Sequence, residues 1–452
     1  MPTHQSNNRV CIVGGGPAGL ATARALSLAG IEFDVFEKHT DVGGIWDPSN
    51  PGSPMYESAH FISSKTMSGY HDYPVPDNYP DYPSNKQILA YIKDFCEAYD
   101  LRKHIQFGTQ IDEARHEKDQ GWTLKTNQGT REGYRWLVAA NGVTWYPKSP
   151  KIEGDETFTG KIMHSVNYHK RDQIAGKRVL IVGAGNSGVD IACDAASVAC
   201  QAAISLRRGY HILPKHLFGM PIDVFGAQSE WMPLRVQQFT TAIMLRILLG
   251  DVRKLGLAKP DHRILESHPI INSQLLHYLQ HGDLKAKPDI EKIEGEAVIF
   301  KDGSRAGFDV IILATGYDRR IPYLAEGTIT YDKVQPKGFL QVYQPNHPEL
   351  FINGFIETNG GAYKFFDQMA QMIAQGIRTQ IKGGSEWEKL QSIIQGKEPN
   401  LSGGIRYVDS DRHRGYTNAK AYNKAAKKLR KTMGWPELTP GMYASLTSRP
   451  SD

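Results

Sequence analysis

Two stretches decide the fold: RVCIVGGGPAG at residues 9–19 and RVLIVGAGNSG at residues 178–188. Each starts as an apolar, β-branched run, passes through a glycine turn and enters a helix-forming segment. A strand, then G-x-G-x-x-G, then a helix is the order of a dinucleotide-binding βαβ unit. In the first stretch Gly14 permits the tight turn, Gly16 lets the backbone approach a pyrophosphate, and Gly19 lets helix and strand pack closely. Pro17 and Ala18 begin the helix, whose free N–H groups and positive dipole end suit an anion. Gly183, Gly185 and Gly188 hold the same places in the second stretch. The leading glycines stand 169 residues apart, so an architecture is duplicated rather than a tandem motif.

The strand after each turn says which dinucleotide is expected. The first ends at Glu37, 18 residues beyond Gly19, where a carboxylate accepts hydrogen bonds from ribose hydroxyls. Lys38 beside it is a further candidate contact. Gly43-Gly44-Ile45-Trp46 then supplies a second glycine turn and an aromatic ring, which favours FAD. The second unit instead ends Ser205-Leu206-Arg207-Arg208, with Arg207 lying 19 residues past Gly188. A carboxylate would repel a 2′-phosphate, whereas arginine pairs with it through two parallel hydrogen bonds. NADPH is therefore expected over NADH. One site for each cofactor makes a hydride relay from nicotinamide to flavin. No C-x-x-C pair is present, which speaks against a disulfide reductase. The electrons then pass to oxygen, a quinone, a protein partner or another small acceptor.

Strands and helices alternate along the rest of the chain, predicting an α/β protein with two Rossmann-like dinucleotide-binding domains, an FAD domain with an inserted NADPH domain. The expected division is 1–169 and 319–452 for the FAD part and C-terminal helices, with 170–318 between them. A β-meander is expected over 103–134, helices over 87–99, 186–197, 273–280 and 365–381, and loops over 47–84 and 210–270. With 40% hydrophobic and 22% charged residues, the 452-residue chain forms a core, and a net charge of +5 does not call for nucleic acid. Four cysteines are too sparse for a disulfide framework, and no metal site is expected. Residues 1–8 are polar and show no secretory leader, and no apolar run is long enough to span a bilayer. These features predict a cytoplasmic protein without stable membrane insertion. The apolar stretch 239–250 reads as a core or interface helix and suggests pairing into a homodimer. The basic segment 420–431 reads as a solvated helix face.

Between the two units, Phe158-Thr159-Gly160-Lys161-Ile162-Met163-His164-Ser165-Val166-Asn167-Tyr168 fits F-x-G-x-x-x-H-x-x-x-(Y/F). Leu313-Ala314-Thr315-Gly316-Tyr317, the Gly43–Trp46 segment and Asp72-Tyr73-Pro74 add to it. On these motifs the chain, over roughly residues 8–440, resembles the flavin-containing monooxygenases. The resemblance implies that Gly14 to Ala18, Glu37, Gly44, Ile45 and Trp46 hold FAD. It implies that Asn186, Ser187, Gly188, Asp190, Arg207 and Arg208 hold NADPH. Thr315, Gly316 and Gln368 are further cofactor candidates, and His164 is a linking residue rather than an acid or base. One position departs from the family pattern. An Asn near the flavin usually stands three residues before a Lys; here the Lys is Lys65 and the Asn position is Ile62. Ser63 and Ser64 are the candidates to supply a hydrogen bond in its place.

The activity implied is NADPH-dependent oxygenation of a small-molecule amine nitrogen or sulfide sulfur by O2, through a flavin carbon-4a hydroperoxide. Two alternatives stand beside it. One is Baeyer–Villiger oxygenation of a ketone, against which Tyr168 weighs because that branch carries Trp there. The other is an NADPH oxidase or reductase, which the Ile62 departure keeps open.

Overall fold

The computed structural model describes residues 8–446, so of the polar N-terminal stretch only Asn8 falls within it, and the polar end beyond 446 lies outside it. Val10–Val13 is buried along its whole length, as a strand covered on both faces requires. It sits inside a six-stranded sheet ordered Tyr343–Gln344, His347–Ile352, Trp136–Ala139, Val10–Val13, Phe33–Phe36, Ile105–Gln106. Every pairing is parallel except the Tyr343–Gln344 edge. Val13 lies in register with Phe36 and Ala139, so Gly14, Glu37 and Ala140 emerge along one carboxyl edge.

The second sheet repeats this plan. Its five strands run Lys285–Lys287, Gln201–Ser205, Arg178–Val182, Val310–Leu313, Lys161–His164, all parallel. Val182 is in register with Ser205 and Leu313, and Gly183, Leu206 and Ala314 follow at the carboxyl edge. Each unit also carries a three-stranded antiparallel meander just before the strand that returns to the sheet centre. In the first it spans 111–134, shorter than the expected 103–134 because Ile105–Gln106 joins the main sheet; in the second it spans 290–307 and was not anticipated.

Helix Pro17–Ala29 starts with Pro in its first turn and stops at Gly30, whose φ of 65° is left-handed. It packs along the long helix Ala362–Lys382, where Leu20, Leu26, Met369 and Ile373 are fully buried. Within that contact Arg24 and Asp367 form an ion pair at 2.8 Å, both side chains fully shielded from solvent. Asp367 also accepts from the His71 N–H at 2.6 Å. The Arg24 guanidinium lies 3.7 Å from the Tyr443 ring centre and 4.7 Å from that of Phe95.

Two expectations need correction. Lys161–His164 falls inside the stretch assigned to the FAD part, yet it pairs with Val310–Leu313 in the second sheet. The change of sheet therefore precedes the fingerprint rather than following it at 169. Of the two readings of the apolar stretch 239–250, core or interface, the core one falls. It belongs to helix Leu234–Leu249, of which only Gln238 and Leu245 are buried. Its apolar residues recur on the face turned to solvent, and composition alone does not say which face a helix buries. No helix among the described residues is long and apolar enough to cross a membrane.

Candidate cofactor-binding site

Both carboxyl edges open into one cavity of about 2360 Å³. That exceeds the roughly 300–1,000 Å³ of a single-ligand pocket. From the first unit Gly14, Gly16, Pro17, Ala18, Glu37, Lys38, Gly44, Ile45, Trp46 and Ser63 line it. From the second come Gly183, Gly185, Asn186, Ser187, Gly188, Asp190, Arg207, Arg208, Thr315 and Gly316. Both loops left unassigned by the sequence, 47–84 and 210–270, contribute walls.

The two glycine turns are built alike. A Cβ on Gly14 would lie 2.5 Å from the Ala140 carbonyl oxygen, and one on Gly183 would lie 2.6 Å from that of Ala314. Their φ values, 114° and 108°, also suit glycine alone. Gly16 faces the open cavity, with only the Gly44 backbone near its missing Cβ, at 3.5 Å. Glu37 is buried, and its two oxygens accept the Gly15 N–H at 2.6 Å and the His39 N–H at 2.9 Å. Burial raises its pKa, and those two N–H groups oppose the shift. A carboxylate has about four acceptor positions, so capacity for a ribose diol remains. An open turn, an anion-ready helix start and a spare acceptor are what a dinucleotide needs.

A family model described as flavin-binding monooxygenase-like matches residues 7–429. The chain belongs to the flavin-binding monooxygenase-like family. It is 31% identical over 441 residues to flavin-containing monooxygenase 5 of Mus musculus, covering 90% of this chain and 80% of that one. It is 31% identical over 338 residues to indole-3-pyruvate monooxygenase YUCCA6 of Arabidopsis thaliana, covering 70% and 79%. A steroid monooxygenase bound to NADP shares the fold with a TM-score of 0.74 at 18% identity, over 94% and 97% of the two chains. S-allyl-L-cysteine S-oxygenase of Allium sativum does so with 0.64 at 20% identity, over 97% and 92%. The protein is a flavin-dependent monooxygenase.

Three anticipated residues do not reach the cavity wall of this monooxygenase. Gly19 lies behind it, where a Cβ would come within 1.8 Å of the Gly14 carbonyl oxygen. Its work is helix–strand packing. Ser64 is fully buried; its N–H donates to Asp223 Oδ2 at 2.6 Å, and its hydroxyl has no partner. Gln368 is turned away. Ala362, Tyr363 and Phe366 line the cavity, and two further residues rotate a helix by about 200°. Gln368 instead donates to Asn423 Oδ1 at 2.7 Å. Ser63 does line the wall, and its hydroxyl accepts from Ser68 Oγ at 2.6 Å, leaving its own proton to donate. Ile62 stands beside it on the wall.

The fingerprint between the units acts as a tie. Val166 N–H donates to His164 Nδ1 at 3.2 Å, so Nε2 carries the proton and donates to the Gly316 carbonyl at 3.1 Å. Burial lowers the His164 pKa and keeps the ring neutral. Tyr168 donates to Asp194 Oδ2 at 3.0 Å, on the helix that follows the second glycine turn. Arg171 and Ser58 bond the same carboxylate, and Tyr56 donates to Asp190 at 3.0 Å. The 54–60 loop is thereby pinned to the second unit.

Sequence reasoning missed a group from near the C-terminus. Arg412 Nη1 hangs over the second turn, 3.4 Å from where a Gly185 Cβ would be. His413 Nε2 accepts the His268 N–H at 2.9 Å. His268 Nε2 meets Asn186 Nδ2 at 3.2 Å, and its Nδ1 meets the Tyr416 hydroxyl at 2.8 Å. Asn186 Oδ1 is already taken by the Ile271 N–H at 3.0 Å, so the amide nitrogen donates and His268 Nε2 accepts. Burial, with Arg412 and His413 adding to it, holds the His268 pKa well below the ordinary range. These residues lie far from Gly185 in the chain and carry no local motif, so no spacing rule points to them.

Proposed function

We propose that this monooxygenase uses NADPH to oxygenate a soft heteroatom, an amine nitrogen or a sulfide sulfur, of a small molecule. The observation that carries the reading is the junction of two glycine cradles in one cavity whose wall around Ile62 is apolar. Phe61, Ile62, Met67, Tyr363 and Phe366 line it there, and the hydroxyls of Ser63 and Tyr363 are the polar groups among them. A sulfide or amine brings its own electron pair and needs no charged group to polarise it. A ketone carbonyl is best activated by a cation beside it, and the side chains named offer no charge. The S-oxygenase from Allium sativum with this fold agrees with that choice.

When bound, FAD supplies the activation of O2 and NADPH supplies the reducing equivalents. The remaining tasks fall to the chain. The Gly14–Ala18 turn with Glu37 holds one dinucleotide, and the Gly183–Gly188 turn holds the other. Trp46, Phe61 and Tyr363, with ring centres 5.1 and 5.5 Å apart in succession, exclude water from the reacting end. Ser63 donates one hydrogen bond there. Arg207 and Arg208 would pair with a 2′-phosphate, and Arg412, which lies beside the second glycine turn, would add a further positive charge for the pyrophosphate.

Turnover with a thioether and with a tertiary amine tests the reading, counting product and hydrogen peroxide against NADPH consumed. Oxygenated product matching NADPH supports it; peroxide alone, with every such substrate, overturns it. Arg207→Ala is expected to raise KM for NADPH about 10- to 100-fold, the worth of one charge-assisted contact, and to leave KM for NADH nearly unchanged. Equal effects on both would remove the arginine from the site. Ile62→Asn restores the amide that the resemblance leads one to expect. It should raise product formed per NADPH about fivefold, the value of one net hydrogen bond, if coupling is incomplete in the parent protein. An unchanged ratio would show that Ser63 already performs that task.

A further inference from the structure

The basic segment 420–431 is only in part a solvated helix face. It lies in helix Ala419–Met433, which buries Tyr422, Ala426 and Leu429 and turns Lys420, Ala421, Lys424, Ala425 and Lys428 to the cavity. The three lysines recur every fourth residue, about 6 Å apart along the axis, with small alanines beside them. Tyr422 packs on Phe365, ring centres 5.4 Å apart, and the Ala419 N–H donates to Asn359 Oδ1 at 2.9 Å. These contacts set the start of the row beside the start of helix Ala362–Lys382, which carries Tyr363 and Phe366.

The neighbouring wall comes from residues 222–244. Lys420 Nζ donates to the Glu230 carbonyl at 2.9 Å, and Phe225, Met232, Leu234 and Met244 line the cavity on that side. One wall is therefore cationic and the other mainly apolar. Two acids stand on the apolar side. Asp223 accepts from the Ser64 and Val224 N–H groups at 2.6 and 2.9 Å and lies close enough to Lys364 to act on its charge. Glu230 is left to answer three lysines. Lys424 and Lys428 have no hydrogen bond or ion pair among the described residues. Like charges four residues apart on a helix repel one another, so an anion between them is favoured. The nucleotide phosphates do not account for the row, since Arg207, Arg208 and Arg412 already stand at the second glycine turn.

We propose that Lys420, Lys424 and Lys428 recognise an anionic group on the substrate, so that the molecule oxygenated is an apolar carboxylate bearing the soft heteroatom. This rests on the heteroatom oxygenation proposed above and names its substrate class. With the carboxylate on the row, the apolar part lies against Phe225, Met232 and Leu234, and its far end points toward Tyr363 and Phe366. Three lysines in an exposed row also draw an anion in before contact, an effect that salt weakens.

The test is equilibrium binding of para-methylthiobenzoate and of para-methylthiobenzamide to the FAD-loaded, full-length enzyme, followed by turnover of both with NADPH. The two molecules share a shape and differ in charge. The benzoate should bind about tenfold more tightly, the low end for a charge-assisted contact, and the advantage should shrink at high salt. Lys424→Gln with Lys428→Gln should bring its affinity level with that of the benzamide. Lys424→Arg with Lys428→Arg should keep the preference, which a merely structural role would not require. Equal binding of the two molecules to the parent enzyme overturns the proposal. So does a tenfold higher KM for NADPH in the glutamine variant with benzoate binding unchanged, which would give the lysines to the cofactor. Tighter binding of the benzoate with no sulfoxide from either molecule supports the anion site and removes the oxygenation reading instead.

Discussion

Gly188→Ala should yield a protein that purifies yellow with FAD but that NADPH reduces poorly. A Cβ at residue 188 would lie 2.3 Å from the Gly183 carbonyl oxygen and 3.0 Å from the Ala314 Cβ. The first of these is backbone and has nowhere to retreat, because Gly183 is itself pressed against the Ala314 carbonyl. Helix Asn186–Val198 must therefore move off its strand, carrying its N-terminal N–H groups away from the pyrophosphate. A displacement near 1 Å at a positioning element is worth about 100-fold, so KM for NADPH should rise at least that much. The first sheet shares no strand with the second, which is why the flavin stays. An anaerobic titration reads the difference directly. Dithionite should bleach the flavin of the variant, and NADPH at concentrations that reduce the parent should not. Full reduction at parental NADPH concentrations would mean that the second turn is not where the nicotinamide dinucleotide sits. Gly19→Ala is the counterpart, with a 1.8 Å conflict in the first unit, and should lose FAD instead.

The second large effect is on stability. Asp367→Ala leaves Arg24 as an uncompensated charge between helix Pro17–Ala29 and helix Ala362–Lys382. Breaking a buried pair from one side costs about 3–5 kcal/mol. The aromatic rings around the guanidinium soften this without replacing the carboxylate, and the His71 N–H loses its acceptor as well. Urea unfolding of the FAD-loaded protein, followed by far-ultraviolet circular dichroism, should show a free energy lower by that amount. A loss below about 1 kcal/mol would show that the rings alone carry the Arg24 charge. Replacing both partners together, Arg24→Met with Asp367→Leu, should recover most of the loss, because the desolvation cost disappears with the charges.

What the sequence made legible is local. Strands Val10–Val13 and Arg178–Val182, the glycine turns and the helices after them follow from β-branched runs, glycine spacing and helix-start chemistry within some twenty residues. The same holds for Glu37 and Arg207, which lie one βαβ step from their glycines. What stayed hidden depends on contacts between distant segments. Arg412 and His413 come near the second turn only because the chain folds back between helix Gly384–Gln395 and helix Ala419–Met433. The place of Lys161–His164 in the second sheet is set by its pairing with Val310–Leu313, about 150 residues later. Gln368 was misjudged by a rotation about a helix axis, and the core reading of residues 239–250 by which face that helix buries. Ser63 and Ser64 are neighbours that part company because Asp223, 159 positions on from Ser64, holds the second by its backbone.

The proposed reaction transfers one oxygen atom from O2 to a soft heteroatom. The most direct measurement is turnover of a thioether with NADPH under oxygen-18 gas, with mass analysis of the product and a parallel assay for peroxide. One labelled oxygen in the sulfoxide, formed in proportion to the NADPH consumed, is the predicted result. Unaltered thioether, with all the consumed NADPH recovered as labelled hydrogen peroxide, would contradict it.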